Sequence, residues 1–227
     1  MTHPTNARLA GFMFLFYIAI GISSMVLFHR ATGGAKETAA TLASLAQHPT
    51  AVRLTALLVL LTFFVAVLLA VTLYALTRDQ DCDLAMLALC CRVTEGVIAA
   101  TSAVRTLGLL SVATASMAAA APDAAAVQAL GALLLQQGDA GTLIAATCFA
   151  VGSTLYSYLF LRARSIPVAL AWLGVLASLL LVVALTLRLA GFLRGPVNYY
   201  VWIPMAVFEV TLGFWLLIKG VAAPRER

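Results

Sequence analysis

The chain has 227 residues, of which 63% are hydrophobic and only 10% charged, against roughly 45–50% and about 25% in a soluble domain. With a mean hydropathy of +1.03, it carries more apolar side chain than a soluble fold of this size can hide, so lipid must cover the remainder. The net charge of +5 comes from 14 Lys and Arg scattered between apolar segments; without a basic stripe they are topology determinants and headgroup contacts, and nucleic acid is excluded as a partner.

The charges divide the chain into apolar runs. The first, Leu9–Phe28, is 20 uncharged residues between Arg8 and His29. It is longer than the ~7–15 residue core of a signal peptide and no clean A-x-A site follows, so it is expected to be a retained helix. The second, Leu54–Thr77, lies between Arg53 and Arg78. The third, Leu84–Val104, follows the acidic cluster Asp79, Asp81 and Asp83 and contains Arg92 and Glu95. The cluster resembles the start of a calcium loop but lacks the glycine at position six and the closing Glu; it reads as a cap of the third helix. The fourth run is Ala140–Leu161, the fifth Ile166–Leu187, and the sixth Tyr199–Ile218, which contains Glu209. Each has 20 residues or slightly more, which at ~1.5 Å per residue matches a hydrocarbon core of roughly 30 Å.

Helix is the expected conformation, because a spanning segment must satisfy its own backbone and these runs lack the alternation of a barrel strand. Pro167 falls in the first turn of the fifth span, and Pro204 is expected to kink the sixth. Residues 106–139 read as an outside loop: an extension of the third helix, then a surface helix from about Asp123 to Gln137, with Pro122-Asp123 as start and Gly138 as stop. A seventh span there is disfavoured by the Pro-Asp break. With the N-terminus inside, cytoplasmic segments hold seven basic residues (Arg8, Arg78, Arg162, Arg164, Lys219, Arg225, Arg227). Outside segments hold five (Arg30, Lys36, Arg53, Arg188, Arg194). The stretch after Arg105 up to 139 has none, as an outside loop should. Tyr199, Tyr200 and Trp202 cluster at the outer end of the sixth span, with Tyr74 and Trp215 near inner ends.

Three charges lie inside spans: Arg92, Glu95 and Glu209. A charge at a helix centre costs roughly 2.5–3.5 kcal/mol on insertion scales. Arg92 and Glu95 are three apart and share a helix face. Glu95 lies about 16 Å in from one side and Glu209 about 15 Å in from the other at the α-helical rise, so antiparallel helices bring both to mid-depth. The sharpest expectation is a buried Glu95–Arg92–Glu209 cluster joining the third and sixth spans. One Arg cannot neutralise two carboxylates, so one is expected to hold a proton and to offer a proton-relay or ligand site. The plainer and preferred reading is an ion pair that sets helix register. Ser153, Thr154, Tyr156, Ser157 and Tyr158 could line a polar cavity on the fourth span, although such hydroxyls more often bond within their own bundle. Gly96/Ala100 and Gly174/Ser178 are small pairs at four-residue spacing that let helices approach.

Cys82, Cys90, Cys91 and Cys148 lack CxxC spacing and read as packing residues, with no disulfide or zinc site. His3, His29 and His48 all fall outside the spans, so haem, copper and zinc-protease chemistry have no intramembrane histidine; HExxH, GxSxG, a P-loop and a rhomboid-like pair are also missing. No cofactor is expected.

The segments RLAGFMFLFYIAIGI (8–22), CRVTEG (91–96), SYLFLRARSIP (157–167) and IPMAVFEVTLGFWLLIKGV (203–221) together resemble the domain-of-unknown-function 4386 family of small bacterial membrane proteins. The resemblance runs in order through nearly the whole chain. Its distinctive points fall on Arg92 and Glu95, Pro167, and Glu209 with Trp215–Gly220. A histidine that often precedes the fourth helix in that family has no counterpart here. The resemblance implies the six-helix architecture and no mechanism.

The expectation is therefore an all-α polytopic transmembrane bundle of about six spans in a bacterial inner membrane, both ends cytoplasmic. The lipid bilayer is its partner, with a homodimer or another membrane protein as further partners. Three function classes stay open, in this order: a non-enzymatic protein that binds a partner or lipid; a small proton-coupled transporter using Glu95 and Glu209; and an intramembrane lipid-modifying enzyme.

Overall fold

The computed structural model describes residues 3–35, 37–118, 121–193 and 200–221. The expected start of the sixth span at Tyr199, and the topology residues Lys36, Arg194, Arg225 and Arg227, lie outside them. The described chain is helical throughout: α1 (His3–Ala31), α2 (Thr38–Gln47), α3 (Pro49–Thr77), α4 (Cys82–Ala118), α5 (Ala121–Ala163), α6 (Val168–Leu189) and α7 (Ile203–Ile218). Five stretches are long and apolar enough to cross a membrane: Pro4–Ala31, Pro49–Thr77, Cys82–Met117, Ala125–Ala163 and Val168–Leu189. The sixth apolar helix, Ile203–Ile218, has 16 residues, about 24 Å at the helical rise. The chain is a multi-pass α-helical membrane protein.

Residues 106–139 carry the expected extension of the third helix, as far as Ala118, and a helix that starts beside Pro122, but that helix, α5, runs unbroken for 43 residues from Ala121, about 65 Å at 1.5 Å per residue. Gly138 does not stop the helix. It is buried inside α5, and a Cβ there would collide with the Arg105 guanidinium. The glycine makes room for an arginine to lie on the helix backbone, which outweighs its poor helix propensity. Helix α2, within what reads as a connection, is also new: Thr41, Leu42 and Leu45 form its buried stripe. Gly33 and Gly34 reverse the chain ahead of it with φ of +61° and +65°, values that side chains with a Cβ rarely adopt.

The chain forms two compact units. The first comprises residues 1–17, 64–96 and 143–227. Its core joins Ala7, Ala10 and Phe14 of α1 to Leu69 and Leu73 of α3, Ala88 of α4, Phe149 and Phe160 of α5, Leu181 of α6, and Phe208 and Leu212 of α7. Helices α6 and α7 pack together, and Gly174 and Ser178 are buried on α6. Asp81 caps α4 by accepting from the Leu84 N–H at 3.1 Å, as expected of the acidic cluster, and pairs with Arg162 at the end of α5 at 3.3 Å. The second unit comprises residues 18–63 and 97–142, with a smaller core of Ala31, Leu42, Leu45, Val52, Leu109, Leu110 and Ala113.

Candidate functional site

The three in-span charges all lie in the first unit and all are buried, Arg92 at 1%, Glu95 at 4% and Glu209 at 9% exposure. Arg92 and Glu95 stand one turn apart on α4, and Nη1 of Arg92 lies 2.9 Å from Oε2 of Glu95. The N–H direction misses that oxygen, so the contact is one of charge, and Nε, Nη1 and Nη2 keep hydrogens without a protein acceptor. Two rings cover the guanidinium. Its carbon is 4.6 Å from the centroid of Phe149 and 5.8 Å from that of Tyr17, close enough for each π-face to attract the cation. The Tyr17 hydroxyl donates to Oε1 of Glu95 at 2.9 Å.

Helix α5 is shaped around this arginine. A Cβ on Gly152 would sit 3.0 Å from Cγ of Arg92 and 3.2 Å from Cδ, so any other residue here would push the arginine stem back by a few tenths of an ångström. Beyond Gly152, α5 offers Ser153, Tyr156 and Ser157, which line one small cavity with Arg92 and with Glu209 from α7. The cavity holds about 10 Å³, room for about one water-sized guest. Its remaining walls are apolar, among them Phe14, Met205 and Phe208. Oγ of Ser157 and Oε1 of Glu209 are buried and accept or donate no protein hydrogen bond.

The geometry thus divides the expected trio. Arg92 pairs with Glu95, whereas Glu209 shares a cavity with Arg92 without an ion pair among the described residues. Of the hydroxyl residues on α5, Ser153, Tyr156 and Ser157 reach the cavity, although the Tyr156 hydroxyl also donates to the Ala70 carbonyl of α3 at 3.0 Å. Thr154 does not line it; its hydroxyl returns to the Ala150 carbonyl at 2.8 Å. Tyr158 faces outward, 44% exposed.

Tyr17 is a member that sequence reasoning missed. It lies eight residues into the first span, about 12 Å from its start, at a depth where an amphipathic ring away from the interface needs a hydrogen-bond partner. Phe149 carried no such signal. The four cysteines are free: Cys82 and Cys90 are exposed, Cys91 and Cys148 partly buried. No group of three His, Cys, Asp or Glu is placed to hold a metal ion among the described residues.

The family model described as Domain of unknown function (DUF4386) matches residues 9–220. The chain belongs to that family, and the match covers every residue of the buried network and its cavity. No curated protein and no solved structure matches it.

Proposed function

We propose that this member of a family of unknown function is a non-enzymatic protein of a bacterial inner membrane that acts by binding lipid or a membrane partner. Both termini face the cytoplasm. The buried network is its structural core. The observation that carries this reading is the state of Arg92. Its charge is matched by Glu95 and its faces are covered by Phe149 and Tyr17, an arrangement that holds helices together. The adjoining cavity, about 10 Å³, is far below the several hundred Å³ of an organic ligand site, which speaks against a lipid substrate reacting there. The basic residues favour the N-in orientation by seven to five.

A second reading rests on Glu209. A buried carboxyl whose Oε1 has no partner, beside an arginine already paired, is chemically able to take up and release a proton, as in a proton-coupled carrier. One experiment separates the two. The protein is reconstituted in vesicles containing a pH-sensitive dye, and an imposed proton gradient is followed for wild type and Glu209→Gln. The binding reading expects both to match protein-free vesicles. A faster decay in wild type that Glu209→Gln abolishes overturns it in favour of the carrier.

A further inference from the structure

The second unit holds a much larger cavity, about 370 Å³, walled by α1, α3, α4 and α5. We propose that this cavity binds an uncharged glycerol diester, diacylglycerol, whose free hydroxyl donates to threonine oxygens and whose ester carbonyls accept from serine hydroxyls. The inference deepens the reading of the protein as a lipid binder and rests on it.

Shape is the first argument. The lining residues come from 21–28 of α1, 55–62 of α3 and 99–106 of α4, with Thr142 of α5. Each of the three stretches is two helical turns, about 10 Å at 1.5 Å per residue. The cavity is therefore a slot that runs along the helices, the direction in which a membrane lipid also lies. All of its lining falls within the apolar helices Pro4–Ala31, Pro49–Thr77, Cys82–Met117 and Ala125–Ala163. Met25 is 66% exposed and Gly21 is also exposed, so the slot opens sideways and acyl chains can leave it toward lipid. The volume lies within the range of built ligand sites.

Chemistry is the second. Arg105 is the one ionisable residue of the lining, and it is committed to the protein: it lies against Gly138, Nη1 reaches the Leu134 carbonyl at 3.5 Å, and it has a further partner besides. An anionic head placed among these apolar helices would find no counter-charge of its own, so the guest is uncharged. The hydroxyls of Thr55, Thr62, Thr106 and Thr142 each donate to a carbonyl one turn back, at 2.9, 2.8, 2.7 and 2.8 Å. With their hydrogens engaged they present lone pairs, so these positions accept hydrogen bonds. Ser24 and Ser102 differ. They line the same slot, and among the described residues neither hydroxyl meets an acceptor, so both are able to donate. The complementary guest offers one donor and more than one acceptor without a charge. Diacylglycerol has that set, with one hydroxyl and two ester carbonyls on a slender glycerol unit. Met25, Phe28 and Val59 supply the apolar side for the start of its chains.

Two substitutions test the slot and leave the arginine alone. A Cβ on Gly21 would meet nothing within 4 Å, so the ring of Gly21→Phe can enter the space without disturbing the packing. Ser102→Ala removes one donor at a helical position that alanine suits. The full chain is purified in mild detergent and mixed, separately, with diacylglycerol, phosphatidylglycerol and a polyprenol. Bound lipid is read by native mass spectrometry as the mass added to wild type and to each variant. The proposal expects wild type to retain diacylglycerol at least about tenfold better than either other lipid. Ser102→Ala should lower that retention about fivefold, the loss of one hydrogen bond, and Gly21→Phe should abolish it. Gly21→Phe decides if Ser102→Ala fails to fold. If wild type retains diacylglycerol and a folded variant retains it equally, this site is wrong while lipid binding stands. Equal retention of phosphatidylglycerol would give the slot to a charged head, and equal retention of polyprenol would leave the esters no part in it; either overturns the proposal. If wild type retains no lipid at all, the lipid-binding reading falls with it.

Discussion

Replacing Glu95 with Gln isolates the charge of the buried network from its shape. Gln keeps an acceptor for the Tyr17 hydroxyl, now 2.9 Å from Oε1, and fills the same volume. It removes the one charge that matches Arg92, which is 1% exposed. Breaking a buried pair from one side costs about 3–5 kcal/mol, because the remaining ion stays desolvated without a counter-charge. The contacts with Phe149 and Tyr17 persist and do not change the difference. Glu209 borders the same cavity and can turn toward the guanidinium, which holds the cost to the lower end, about 3 kcal/mol. In a chain of this size each kcal/mol moves the melting temperature by about 2–4 °C, so a fall of about 6–12 °C is expected. Thermal unfolding followed by circular dichroism in one fixed detergent reads it. The double variant Arg92→Met/Glu95→Gln removes both charges and should recover to within about 1 kcal/mol of wild type, since buried pairs replaced by apolar groups are commonly neutral. A single variant that melts with wild type, or a double variant worse than either single, would refute the network as an ion-paired core.

Tyr17→Phe keeps the ring near Arg92 and removes a hydrogen bond to a charged carboxylate; it should cost about 1.5–3 kcal/mol, measured in the same unfolding assay. Ser157→Ala should melt within about 0.5 kcal/mol of wild type or above it, because the buried Oγ has no protein partner to lose; a loss above about 1 kcal/mol would show a bound partner in the cavity. The N-in orientation puts Cys82, exposed at the start of α4, on the cytoplasmic side. With the other three cysteines replaced by Ala, a membrane-impermeant maleimide should label it in broken membranes and spare it in intact cells; equal labelling would reverse the topology.

What could be read from the chain followed from how strong each physical signal is. Spans bounded by charge are legible because a charge in hydrocarbon costs several kcal/mol: the runs bounded by Arg8, Arg78 and Arg162 fall within apolar helices of the structure, and the run ending at Arg188 does so from Val168 onward. Within 106–139 the extension of the third helix and the start at Pro122 were legible, and the continuation past Gly138 was not. Pro122 lies in the first turn of α5, where proline is tolerated, and thus marks a start. Gly138 carries the same letter as a stop but is kept for the Arg105 guanidinium that lies on it, a contact 33 residues away in sequence. Arg92 and Glu95 announce themselves by spacing alone. Their covers, Phe149 and Tyr17, come from other helices, and nothing in an apolar run distinguishes the phenylalanine that faces an arginine from one that faces lipid.

The same contrast bears on why the network exists. An apolar replacement of a buried ion pair is often as stable as the pair, so stability alone gives no reason for Arg92 to be the largest fully buried side chain of the described residues. Its surroundings suggest specificity of packing. Gly152 leaves room for the arginine stem, Tyr17 on α1 donates to Glu95 while its ring faces Arg92, and Glu209 on α7 closes the cavity from a third helix. Sliding α1 or α5 by one residue leaves the Arg92–Glu95 pair intact but takes the Tyr17 hydroxyl off Glu95 and the two rings off Arg92, and a hydrogen bond to a charged group is worth about 1.5–3 kcal/mol, whereas leucine against leucine tolerates such slips. The double variant should therefore melt like wild type yet show broader side-chain resonances in α5 and α7. A double variant as sharply ordered as wild type would remove register as the reason and return attention to the unpartnered carboxyl of Glu209.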